Sequence, residues 1–360
     1  MYNKKILNLE RNYEIDFDRR KFLRLDSNDR VIPFSRNELS KFKKYLNDFS
    51  IQSYPSYRKE VKKLISKKEN LLIENFTLTP GIDLTLKYIF DTFLNKKGNI
   101  LTLYPTYGLI DVYANIYQKK LTKIYENNIS KLNDPKILKN VNVVYLANPN
   151  SPSGKSLPKK ILQNFIRKCA KKKIIVIIDE TYVHFSKFKS LKDYINKFKN
   201  LIILRTFSKY YGLAGLRIGF IISNKKTIKY LNNIRPPNDL NHISLEILKN
   251  LLKTKDNYLE EIKKSKKYII KIANKMNLNF ELTDCNFFHI YFKNSDIRFI
   301  SKKFFNHKIL IKSIFLNYSK FSYTGPRNSI RVTIGSNKQM VYFFNILKKI
   351  LKDLERIKRL

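Results

Sequence analysis

The sequence predicts an α/β fold, a mostly parallel central sheet flanked by helices with a smaller α+β C-terminal domain, and three observations predict it. Short aliphatic runs alternate with longer amphipathic stretches, the pattern of strands joined by crossover helices. Several of those runs stop abruptly at polar segments, as strands do where they reach a sheet edge. The proline pair in Arg235–Asn238 then interrupts the alternation, because proline disfavours helix at itself and at the residue before it. A domain hinge is expected there.

The first 30 residues mix acids and bases, and are expected to pack on the small domain or on a partner. Residues 31–238 form the large domain. Its elements in order are a helix over Ile82–Phe93, opened by Pro80 and Gly81, then strands over Ile100–Leu103 and Val141–Ala147. A helix over Pro158–Lys171 follows, with proline suited to its first turn. Strands over Ile174–Ile178, Leu201–Leu204 and Ile218–Ile222 complete the sheet. Residues 239–360 form the small domain. A long Lys/Glu-rich helical stretch begins near residue 241, strands fall near Phe287–Phe292 and Ser329–Ile334, and a helix closes the chain. The sequence shows no internal repeat and no Gly/Ser linker.

A chain of 360 residues exceeds the roughly 250–300 at which single cores stop growing, so a large core plus a smaller one is expected. With 43% hydrophobic and 13% aromatic residues, it has the composition of a packed globule. The longest aliphatic run, Ile174–Ile178, falls far short of the roughly 20 residues of a membrane span, so no membrane partner is expected. The N-terminal stretch lacks the apolar core and cleavage site of a secretory signal, so a cytoplasmic location is expected. Cys169 and Cys285 lie far apart without metal or redox spacing and read as core thiols; no metal is expected. The formal charge of +43 could attract polyanions. Its lysines are scattered over the whole length, the pattern of a solvated surface, and no nucleic-acid partner is expected.

In open parallel sheets ligands sit at the carboxyl ends of the strands, so the residues after each aliphatic run are where chemistry is to be sought. Three ends stand out: Asn148-Pro149-Asn150-Ser151-Pro152-Ser153-Gly154, Asp179-Glu180-Thr181-Tyr182, and Arg205-Thr206-Phe207-Ser208-Lys209. Singly they read as a turn, a capping acid and a surface lysine. Asp179 resists that reading, because a carboxylate after five aliphatic residues is buried and needs a cationic or hydrogen-bonding partner. A protonated pyridine nitrogen is one such partner.

The stretch Ser208–Phe220, SKYYGLAGLRIGF, resembles the lysine-attachment signature of the class I/II pyridoxal-phosphate (PLP) aminotransferases. With NPNSPSG, DETY and RVTIGS in the same order, the chain is similar to the histidinol-phosphate aminotransferase family over about Leu25 to Ser336. The resemblance implies a PLP-dependent transferase of fold type I, with pyridoxal 5'-phosphate as cofactor. It also implies a small-molecule amino donor such as glutamate, a keto or aldehyde acceptor, and a homodimer with shared active sites.

Residue roles follow from the resemblance. Lys209 holds the cofactor as a Schiff base and, once freed, moves the substrate proton. Asp179 keeps the ring nitrogen protonated, Tyr182 hydrogen-bonds the ring oxygen, and Tyr107 stacks on the ring. Ser208, Arg217 and the helix start at Ile82 and Asp83 bind the phosphate, joined by Tyr54 from the neighbouring subunit. The asparagine that the family places beside the ring oxygen is Ser151 here, and Asn150 next to it can substitute. Arg331 grips the substrate carboxylate bidentately, Asn28 lines the substrate pocket, and Lys312 stands where the family has an arginine for histidinol phosphate. Two rivals are a PLP decarboxylase resembling threonine-phosphate decarboxylase, and a non-catalytic basic binding protein on a relic aminotransferase fold.

Overall fold

The computed structural model describes residues 17–55, 58–94, 98–254, 256–315 and 328–359. The chain begins with β1 (Leu23–Arg24), α1 (Arg36–Lys43), α2 (Asp48–Gln52), α3 (Arg58–Glu69), β2 (Phe76–Thr79) and α4 (Gly81–Phe93). It continues with β3 (Asn99–Tyr104), α5 (Leu109–Ile116), β4 (Leu121–Tyr125), β5 (Val141–Ala147), α6 (Lys159–Lys171), β6 (Ile175–Asp179), β7 (Leu201–Thr206) and β8 (Gly219–Ile222). Then come α7 (Lys225–Ile234), α8 (His242–Leu251), α9 (Tyr258–Lys275), β9 (Phe280–Leu282), β10 (Phe287–Tyr291) and α10 (Asn294–Asn306). The last elements are β11 (Ile309–Leu310), β12 (Lys312–Phe315), β13 (Asn328–Thr333) and α11 (Asn337–Arg359).

Two units organise the described residues: 33–151 with 156–254, and 17–32 with 152–155 and 256–359. In the first unit a seven-stranded sheet runs β2-β8-β7-β6-β5-β3-β4. β8 runs antiparallel to both its neighbours, β2 and β7, whereas β7, β6, β5, β3 and β4 pair in parallel, with α5 following β3 and α6 joining β5 to β6. Both faces are covered, which is why the strands are continuous aliphatic runs and not alternating ones. One face carries Ile177, Ile202, Leu204 and Tyr145 against α4, α5 and α7; the other carries Val176, Ile178, Leu201 and Ile203 against α3, α6 and α8.

Among the described residues the first unit runs to residue 254 and the second resumes at Asp256, beyond the proline pair. The physical reason is α8: its Leu245, Leu248 and Leu251, spaced three apart, bury one stripe in the large unit's core. Arg235 itself is tied down by Asp239, at 2.7 Å and 2.9 Å.

The second unit has a four-stranded antiparallel sheet, β12-β13-β10-β9, with α9, α10 and α11. Its core is aromatic: Phe304 stacks on Phe343 at 5.0 Å, and Phe288 stacks on Phe344 at 6.1 Å. Residues 17–32 join this unit through β1, which pairs in parallel with β11.

Candidate active site

Asp179 is the last residue of β6, on the sheet face shared with Ile177, where α4 and α5 pack. It is only 5% exposed. The Tyr145 hydroxyl on β5 donates to one carboxylate oxygen at 2.8 Å, and the Thr181 amide and hydroxyl donate to the other at 2.9 Å and 2.6 Å. Burial pushes its pKa above the ordinary carboxylate value, and the bonds from Thr181 and Tyr145 offset only part of that rise. All three donors are neutral. A buried acid held by neutral donors fits a group that brings its own positive charge, such as a protonated ring nitrogen.

Tyr145 is the residue that the sequence reading missed. It lies in mid-strand among aliphatics, and only the register that sets Ala147 beside Asp179 brings its hydroxyl to the acid. Burial, then Asp179, raises its phenol far above the usual range, so it stays a donor. Its one sequence signal is a phenol in a wholly buried run, which needs a partner.

A second group of residues gathers at the start of α4. Pro80, the residue before the helix, offers no side-chain cap, so the first-turn N–H groups remain for an anion. Gly81 takes φ +76°, and a Cβ there would lie 3.1 Å from Arg217 Nη2, so the guanidinium lies over the helix start. Arg217 itself is left-handed at φ +53° and donates to Asp83 at 3.0 Å. The Tyr107 hydroxyl donates to the same carboxylate at 2.6 Å. Burial, Asp83 and Asp179 all push the Tyr107 phenol up, which places this cluster within electrostatic reach of Asp179. Ile82 is buried in the core, so only its backbone can serve a ligand.

Asp179 pairs with Leu204 in register, and the chain beyond β7 bends through Ser208 and the half-buried Lys209. Ser208 is 7% exposed; its amide donates to the Thr206 hydroxyl at 3.0 Å, while its own hydroxyl enters no hydrogen bond among the described residues. Tyr182 is buried in the turn after Asp179. Asn150 is engaged locally: its amide donates to Pro105 O at 2.7 Å and to Glu126 at 2.5 Å, and its Oδ1 accepts from the Ser151 amide at 2.9 Å. Tyr54, after α2, is 80% exposed.

Arg331, Lys312 and Asn28 belong to the second unit. Arg331 on β13 has Lys312 of β12 and His289 of β10 as its cross-strand neighbours. Its guanidinium donates to Asp26 O at 2.8 Å and lies 5.2 Å from the Phe287 ring centre. Lys312 is exposed. Asn28, left-handed at φ +56° and 2% exposed, is fixed by bonds of 3.0 Å to Thr333 and from Asn286. Among the described residues no group of three or more His, Cys, Asp or Glu could hold a metal, and no helix is long and apolar enough to cross a membrane.

The profile of the family described as Aminotransferase class I and II matches residues 21–347. Among curated proteins, the histidinol-phosphate aminotransferase of Clostridium novyi is 30% identical over 340 residues, covering 91% of each chain. That of Caldanaerobacter subterraneus is 28% identical over 353 residues, covering 95% of this chain and 96% of its own. Among solved structures, the histidinol-phosphate aminotransferase of Sinorhizobium meliloti in complex with pyridoxal-5'-phosphate superposes with a TM-score of 0.84 at 20% identity, covering 98% of each chain.

Proposed function

Because the chain belongs to the class I and II aminotransferase family and is a PLP-dependent transaminase, we propose that it moves an amino group between a donor such as glutamate and imidazole-acetol phosphate, the ketone that becomes histidinol phosphate. Two relatives of that activity, similar over more than nine tenths of the chain, support the substrate. The observation that carries the site is Asp179, buried and held only by neutral donors.

Pyridoxal phosphate, when bound, supplies an aldehyde carbon for amine attachment and a ring that accepts electrons from the substrate α-carbon. Lys209 would be the attachment amine, and its Nζ would take and return the proton of the substrate α-carbon. Asp179 keeps the proton on the ring nitrogen, with Tyr145 and Thr181 orienting it. Tyr182, Ser151 and Asn150 would hydrogen-bond the ring oxygen, and Tyr107 would stack on the ring. Ser208, Arg217 and the amides of Ile82 and Asp83 take the phosphate, and the Asp83 carboxylate keeps the Arg217 fork turned towards the helix start. Arg331 receives the substrate carboxylate, with Asn28 and Lys312 at the substrate side; the Lys312 charge suits a phosphate. Tyr54 of the partner subunit completes the phosphate site in a cytoplasmic homodimer.

Incubation with glutamate and imidazole-acetol phosphate should yield 2-oxoglutarate and histidinol phosphate in equal amounts. Borohydride should trap the yellow cofactor on a peptide containing Lys209, and Lys209→Ala should be colourless. Carbon dioxide release from phosphothreonine without 2-oxoglutarate would instead favour the decarboxylase reading, and a protein that takes up no PLP would favour a relic.

A further inference from the structure

Glu180 and Arg205 form a buried ion pair that the reaction as described does not use. Arg205 Nε donates to Glu180 Oε2 at 2.8 Å, with the two side chains 5% and 0% exposed. The carboxylate is completed by the Ser190 hydroxyl at 2.7 Å and the Leu191 amide at 2.9 Å. Arg205 Nη1 lies 3.8 Å from Glu69, which also pairs with Lys192 at 3.3 Å.

A buried pair of this kind is weak evidence for stability, because removing two charges from water offsets their attraction, and apolar residues of equal volume often serve as well. Its place in the sheet says more. Asp179 pairs with Leu204, so Glu180 and Arg205 occupy the next rung, also bridged by Glu180 N to Leu204 O at 2.9 Å. Glu180 directly follows Asp179, and Arg205 lies four residues before Lys209.

Below that rung β6 and β7 offer almost nothing to distinguish one register from the next. Both run through Ile, Val and Leu, and both faces of the sheet are buried. In a sheet with one wet face, a slip of one residue would expose apolar side chains and be rejected. Here it would exchange one apolar surface for another. A single polar pair at a buried position removes such a degeneracy, as a lone buried polar residue does in a coiled coil.

We propose that Glu180 and Arg205 are positioning residues: a register clamp that fixes β6 against β7, and through them the height of Asp179 relative to Lys209. The proposal rests on those two residues being the cofactor's anchors.

The test compares Lys209→Ala, the double variant Glu180→Leu with Arg205→Met, and the conservative Arg205→Lys and Glu180→Gln. The double variant replaces the pair by apolar groups of similar size and is expected to melt within a few degrees of the parent. Its PLP dissociation constant should nevertheless rise roughly ten- to hundredfold, and kcat should fall far more than KM changes. The pH midpoint of the bound cofactor's colour should shift, and Arg205→Lys should restore part of each loss. A folded double variant with the parent's affinity and midpoint overturns the clamp, leaving the pair a packing feature. Should the double variant not fold, Glu180→Gln decides by the same two readouts, and parental values overturn the proposal. Colour persisting in Lys209→Ala would instead mean that the assignment of the anchor, not the clamp, has failed.

Discussion

Asp179 illustrates how a single residue can be set against the stability of its own fold. Without a positively charged partner its carboxyl group titrates above its unfolded value of 3.8, chiefly because burial disfavours the ionised form. The sign follows: the penalty is absent below the unfolded pKa and grows as pH rises from there to the folded one, above which it stays at its full size. Asp179→Asn should therefore melt higher than the parent without cofactor at pH 7, by about 2 °C or more. It should also lose transaminase activity by about two to three powers of ten, since a charge pair about 4 Å apart contributes ~4 kcal/mol at an effective dielectric near 20. Calorimetry of the apo form and steady-state rates measure the two effects, and a variant that is neither more stable nor slower would contradict both. Tyr145→Phe removes one bond to the same carboxylate, worth roughly 1.5–3 kcal/mol when the acceptor is charged. The pKa of Asp179 should rise further in the apo protein, and infrared titration of the carboxyl band would show it.

At the scale of elements, the start of α4 depends on a backbone conformation that side chains resist. Gly81→Ala puts an L residue into the left-handed region at roughly 1–2 kcal/mol, with its methyl against Arg217. Apo stability should fall by about that amount, and PLP affinity by about tenfold or more, because the guanidinium and the helix N–H groups are displaced together. Urea unfolding and equilibrium dialysis separate the two losses; unchanged affinity would show that this helix start does not hold the phosphate. Gly219 serves the same place from β8: a Cβ there would lie 3.0 Å from Arg205 O and 3.5 Å from Gly81. Both glycines were visible in the sequence, but the need for them arises only where β2, β7 and β8 meet.

For the whole molecule, the proposed dimer makes a prediction that no single chain can satisfy. If Tyr54 serves the partner's site, inactive Lys209→Ala and weakened Tyr54→Ala chains should complement each other when mixed and re-associated. Random pairing makes half the dimers hybrid with one intact site each, so about a quarter of parental activity should return. No recovery under conditions where the chains demonstrably exchange would place Tyr54 in its own chain's site or outside any site.

The aliphatic runs, their order, and the polar residues closing three of them were legible along the chain, because a doubly covered parallel sheet writes its strands as continuous hydrophobic segments. The family resemblance rests on those closing residues together with the rest of Ser208–Phe220 and the later RVTIGS. What could not be read there depends on neighbours far apart in sequence. Tyr145 reaches Asp179 and Glu180 meets Arg205 only through strand register, which local composition does not encode when both faces are equally apolar. The unit boundary moved past the proline pair for a related reason: proline ends a helix locally, whereas membership of a core depends on which surface α8 finds for its leucines.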